Sequence, residues 1–125
     1  MASPRPAIAE LSYPVALAGT LAVEVPLYAV LLPRRAPVTA ARAVAIGVLV
    51  NVVSHPLLWF GLQPVGRWAG APTLAAVVVA ELVVWLLEAA AVRVLAGVDV
   101  RWALAVTAVA NAASLGAGLV LVLVG

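Results

Sequence analysis

Three carboxylates, Glu24, Glu81 and Glu88, sit inside apolar stretches long enough to cross a bilayer, and the chain's one histidine, His55, sits inside another. An acid near the centre of a spanning helix costs about 2.5 to 3.5 kcal/mol on insertion scales, so such groups turn toward protein or water and mark function. Glu and His side chains spread through the depth of a membrane suit a proton relay. A carboxylate can take up a proton when a cationic solute leaves and release it when the solute returns.

The spacing groups these residues with uncharged polar neighbours. Glu81, Trp85 and Glu88 fall at i, i+4 and i+7 and share one helix face. Asn51, Ser54 and His55 share another, and Asn111, Ser114 and Gly118 a third. At about 1.5 Å of rise per residue, Glu24 and Glu88 form a layer nearer the cytoplasm. Glu81 and His55 form an outer layer, with Asn51, Asn111 and Ser114 between. Pro26 and Pro56 cannot donate to the carbonyls of Ala22 and Val52, which leaves an acceptor near Glu24 and another near His55. The plain reading of the Asn and Ser residues is interhelical hydrogen bonding. Ala112, Ser114, Gly116 and Gly118 form overlapping small-xxx-small pairs that predict a close-packed seam, inside the bundle or between protomers.

The elements that must position these residues follow from composition. The 125 residues are 66% hydrophobic and 10% charged, with a mean hydropathy of +1.22. An ordinary globular chain carries about 25% charged residues. The chain is therefore expected to be an all-α polytopic membrane protein and a single membrane domain. Its four transmembrane helices lie near 12–32, 38–60, 74–96 and 102–124, paired as two hairpins in the lipid bilayer. Pro33-Arg34-Arg35-Ala36-Pro37, the Gly/Pro-rich stretch from Gly61 to Pro72, and Gly97 to Arg101 separate them. Arg34-Arg35 after the first span mark a retained anchor rather than a cleaved signal.

Arg34, Arg35, Arg42, Arg93 and Arg101 fall on the hairpin-loop side, against Arg5 and Arg67 on the other. The positive-inside rule then places both hairpin loops in the cytoplasm and both termini outside, in the inner membrane of a bacterial cell. Trp59, Phe60 and Trp68 on the outer side and Trp102 on the inner side suit the interfacial rings. The absence of cysteine excludes disulfides and thiolate chemistry, and seven scattered arginines form no stripe for nucleic acid. One histidine among carboxylates lacks the imidazole or thiolate set of usual zinc sites, so no metal and no cofactor is expected.

The chain also reads as a doubled hairpin, an internal duplication. Superposing Glu24 on Glu81 pairs Tyr28 with Trp85, and Asn51-Val-Val-Ser54 repeats as Asn111-Ala-Ala-Ser114. That register needs an insertion in the second loop. Taken together, Glu24-Val-Pro26, Asn51 through His55-Pro56-Leu57-Leu58-Trp59-Phe60, Glu81 through Glu88-Ala89, and Asn111-Ala-Ala-Ser114 with Gly118 resemble the pattern of a widespread group of small four-span bacterial and archaeal membrane proteins. The resemblance covers all four spans. It implies the four-span fold and the same polar residues, and it implies no reaction.

The function expected from these residues is proton-coupled transport of a cation or small solute, with Glu24, Asn51, Ser54, His55, Glu81, Glu88, Asn111 and Ser114 as binding residues. Four helices leave little internal room, so a homodimer is expected to enclose the path. The alternatives are an intramembrane enzyme acting on a lipid-like substrate, with Glu81 as base and His55 as acid or both on a metal, and an accessory or structural membrane subunit. The sequence carries no His-Glu-x-x-His, no Gly-x-Ser-x-Gly and no cysteine to favour the enzyme.

Overall fold

The computed structural model describes residues 13–62 and 73–124. Arg5, Arg67 and Trp68, used above for orientation, lie outside the described residues. Helix α1 runs Tyr13–Leu31 and continues into a 3-10 turn, Leu32–Arg34. Helix α2 runs Ala40–Pro56 and passes into a π turn, Leu57–Leu62. Helix α3 covers Thr73–Ala96 and α4 covers Val100–Val124. All four give spans of 21 or 22 residues, long and apolar enough to cross a bilayer, with mean hydropathy of 2.0, 1.8, 2.2 and 1.7 over an 18-residue stretch of each. The protein is thus an all-α, multi-pass membrane protein.

Local chemistry sets the helix ends. Pro33 supplies no N–H to continue α1, and the chain tightens into the 3-10 turn there. Thr39 caps α2, its hydroxyl accepting from the Arg42 N–H at 3.1 Å. Helix α3 stops at Gly97, which takes φ +65° and donates its N–H to the Arg93 carbonyl at 3.0 Å. Pro56 cannot donate to the preceding turn, and the helix widens to π geometry from the next residue on.

The helices form a ring in which α1 packs on α2 and α4, and α3 packs on α4 and α2. The half nearest the two hairpin loops is solid. Tyr28, Leu32, Val92, Ala103 and Val106 are fully buried there, and Gly47 admits the Tyr28 ring so closely that an added Cβ would lie 3.2 Å from it. Polar contacts tie the same end: the Trp102 indole donates to the Leu31 carbonyl at 3.2 Å, Arg42 Nη2 donates to the Leu95 carbonyl at 3.1 Å, and the Arg35 guanidinium lies 4.7 Å from the Trp102 ring centre. Outward faces carry exposed Val53, Leu86 and Val94, the surface a bilayer covers.

The two hairpins correspond residue by residue, in a register other than the one read from sequence. A shift of 60 positions maps α2 onto α4: Ala43 on Ala103, Ile46 on Val106, Val50 on Ala110, all buried, and Asn51 and Ser54 on Asn111 and Ser114. A shift of 64 maps α1 onto α3, with Glu24 on Glu88, Tyr28 on Val92 and Leu32 on Ala96, again all buried. The contacts repeat too. Leu31 and Leu95 are the matched acceptors, Trp102 and Arg42 their matched donors. The side-chain amides of Asn51 and Asn111 each donate to the carbonyl four residues back, at 2.9 and 2.8 Å. The partner of Glu24 is therefore Glu88 and not Glu81. The shifts of 64 and 60 differ by four, so in register the second hairpin connection is four residues shorter than the first, the reverse of the insertion expected from sequence. Both hairpins point the same way, so the relating axis runs along the bundle.

Candidate functional site

Above the solid half, the helices part around a cavity of about 330 Å³, bordered by Glu24, Asn51, Ser54, His55, Glu81, Glu88, Asn111 and Ser114. Every polar residue singled out from the sequence therefore reaches one space. The doubled arrangement explains why. Glu24 of α1 and Glu88 of α3 are diagonal across the ring, and each faces an Asn and a Ser supplied by α2 and α4.

The two halves of this set are in different states. Glu88 is 2% exposed and fully engaged: Ser54 Oγ donates to Oε1 at 2.7 Å, and Asn111 Nδ2 donates to Oε2 at 2.8 Å. Glu24 is 1% exposed and has Asn51 and Ser114 as polar neighbours, yet its Oε1 is buried with no hydrogen-bond partner. Ser114 donates instead to the Asn111 carbonyl at 3.1 Å. A buried acceptor left open costs about 1 to 3 kcal/mol, more if charged, so the Glu24 half is where an incoming donor gains most.

Glu81 and His55 stand farther from the hairpin loops, Glu81 by seven residues from Glu88, about 10 Å along the helix. Both are half-buried, and no hydrogen bond joins them among the described residues; His55 Nε2 is buried without a partner. The acid and base expected for hydrolysis are thus not coupled. The His55 ring instead stacks on Trp59, with centroids 5.9 Å apart and planes at 23°, and lies 5.4 Å from Tyr13. Trp59, four residues on from His55 on the same face, also lines the cavity.

One further expectation changes. An added Cβ at Gly116 or Gly118 would meet nothing within 4 Å, so these glycines form no close-packed seam within the bundle. Gly118 borders the cavity and keeps it open. The described cavity walls all come from one chain. Thr20 is the polar wall residue not read from sequence. Its signal was present, since Thr20, Glu24 and Tyr28 stand four residues apart on one face. Among the described residues, no three His, Cys, Asp or Glu side chains converge closely enough to hold a metal ion.

The chain matches no protein-family model, and no curated protein or solved structure is significantly similar to it.

Proposed function

We propose that the protein is a proton-coupled carrier of small cations. The observation that carries this reading is the convergence of Glu24, Glu81 and Glu88 on one cavity with packed core beneath it. Such a site binds a cation in the low-dielectric interior through carboxylates, and protons replace the cation's charge when it leaves. Glu24, with its open Oε1, takes the cation first. Glu88, held between Ser54 and Asn111, is the matched second carboxylate.

The exposed Arg34, Arg35, Arg42, Arg93 and Arg101 crowd the hairpin end, which supports a cytoplasmic position for both loops in a bacterial inner membrane. In that orientation the packed core lies on the cytoplasmic side and the cavity faces outward. A homodimer is the assembly we expect in the bilayer, to be measured by cross-linking in liposomes. The enzyme reading draws less support, because Glu81 and His55 do not pair and no metal cluster forms among the described residues.

The test is uptake of radiolabelled guanidinium, a cation that stays charged, into liposomes holding the full chain under an imposed proton gradient. Uptake above empty liposomes that falls with Glu24→Gln supports the carrier; uptake that Glu24→Gln leaves unchanged contradicts it.

A further inference from the structure

The pseudo-two-fold relation makes the places where the hairpins differ informative. Helix α1 packs on α4, and α3 packs on α2 and on the π turn that continues it. Val53 on α2 and Leu57 in the π turn correspond to Ala113 and Ala117 on α4. Between α2 and α3 runs an apolar groove of about 480 Å³. Leu49 and Val53 line it from α2, Leu57 from the π turn that follows, and Leu87, Ala91 and Leu95 from α3. Val53 is 66% exposed and Leu87 48%, so the groove lies on the surface a bilayer covers.

Its inner edge is not apolar. Ser54 and Glu88 border the groove and also border the carboxylate cavity, so the hydrogen-bonded pair they form at 2.7 Å is the partition between the two spaces. From Glu88 the groove extends seven residues along α3 to Leu95, about 10 Å of unbroken hydrocarbon surface. A groove with hydrocarbon walls and one carboxylate at its inner edge is complementary to a single kind of molecule. That molecule has an alkyl tail and a cationic head able to donate to Glu88.

We infer that the groove between α2 and α3 is a lateral binding site for amphiphilic cations, with the tail along Leu49, Val53, Ala91 and Leu95 and the ammonium head on Glu88 in place of the Ser54 hydroxyl. This names the substrate class of the carboxylate site and rests on the carrier reading. Lipid-soluble cations concentrate in the bilayer, so entry from the side brings them to Glu88 without crossing the aqueous mouth. Glu88, which borders both spaces, thus serves the membrane side as well as the cavity.

The experiment is photo-cross-linking in liposomes with decylammonium carrying a tail diazirine, against the same tail with an uncharged hydroxyl head, followed by peptide mass spectrometry. The expected result is ammonium-dependent labelling on Leu49, Val53, Leu57, Leu87, Ala91 and Leu95 above that on outward Val30 and Val78. Glu88→Gln is expected to weaken saturation roughly tenfold, the loss of one charge-assisted contact. Val53→Trp, a change at a lipid-exposed position that does not depend on refolding around an altered acid, is expected to abolish groove labelling. Equal labelling by both heads identifies an ordinary lipid chain as the occupant, and chain-to-chain adducts identify a second copy; either overturns the inference. Labelling unaffected by both variants overturns it as well. Guanidinium uptake by the same preparation separates the readings. Uptake with an unlabelled groove removes the lateral site alone, and Glu88-dependent labelling without uptake removes the carrier alone. Absence of both removes the two together.

Discussion

The Tyr28–Gly47 contact tests the doubled fold by stability. Tyr28 is fully buried on α1, and a Cβ placed on Gly47 would lie 3.2 Å from its Cβ, Cγ and Cδ2. The ring root moves only if the helix moves. Gly47→Thr therefore overpacks the seam at about 1 to 3 kcal/mol, and Tyr28→Val leaves a void at about 2 to 4 kcal/mol by analogy with other large-to-small changes. The matched positions on the other hairpin hold Val92 and Thr107, both fully buried. A large residue facing glycine on one side thus corresponds to two mid-sized residues on the other. The double variant Tyr28→Val with Gly47→Thr copies that solution, and it should recover at least about 1 kcal/mol relative to the sum of the single changes. Reversible unfolding in mixed detergent micelles, followed by circular dichroism, measures all four corners of the cycle. Additivity within about 0.3 kcal/mol would refute the matched packing of the two halves.

The two serines should behave differently despite their matched positions. Ser54→Ala strips a 2.7 Å donor from buried Glu88 and should cost about 0.6 to 1.7 kcal/mol, while Ser114→Ala removes only a local bond to Asn111 and should cost less; micelle unfolding compares them. Gly118→Leu meets open space and should fill the cavity without loss of stability, abolishing guanidinium uptake in liposomes while the unfolding midpoint holds. The chain has no cysteine, so single-cysteine variants report sidedness cleanly. Gly118→Cys should react with an impermeant maleimide from outside intact cells, and Asp99→Cys only after the cytoplasmic face is opened.

Much of this architecture was legible in the sequence. Uninterrupted apolar runs and the Pro/Gly breaks at Pro33 and Gly97 define four helices, because a bilayer tolerates little else. Helix periodicity placed Asn51, Ser54, Asn111 and Ser114 on faces that the structure turns into one cavity. The register between hairpins was not legible. Matching Glu24 to Glu81 aligns residue types, but depth in the bundle is set by loop length, and only the shorter second loop reveals Glu88 as the counterpart. Gly116 and Gly118 misled for a related reason. Small residues at spacing of four permit close approach without requiring it, and here they border open space.

The central claim is that cations and protons compete for the buried carboxylates, and it can be read directly in a weakly buffered detergent solution of the full chain. Adding guanidinium to the wild type should release protons in proportion to bound cation, and the release should vanish in the Glu24→Gln, Glu88→Gln double variant. Cation binding with no proton release, or release that persists in the double variant, would contradict the account.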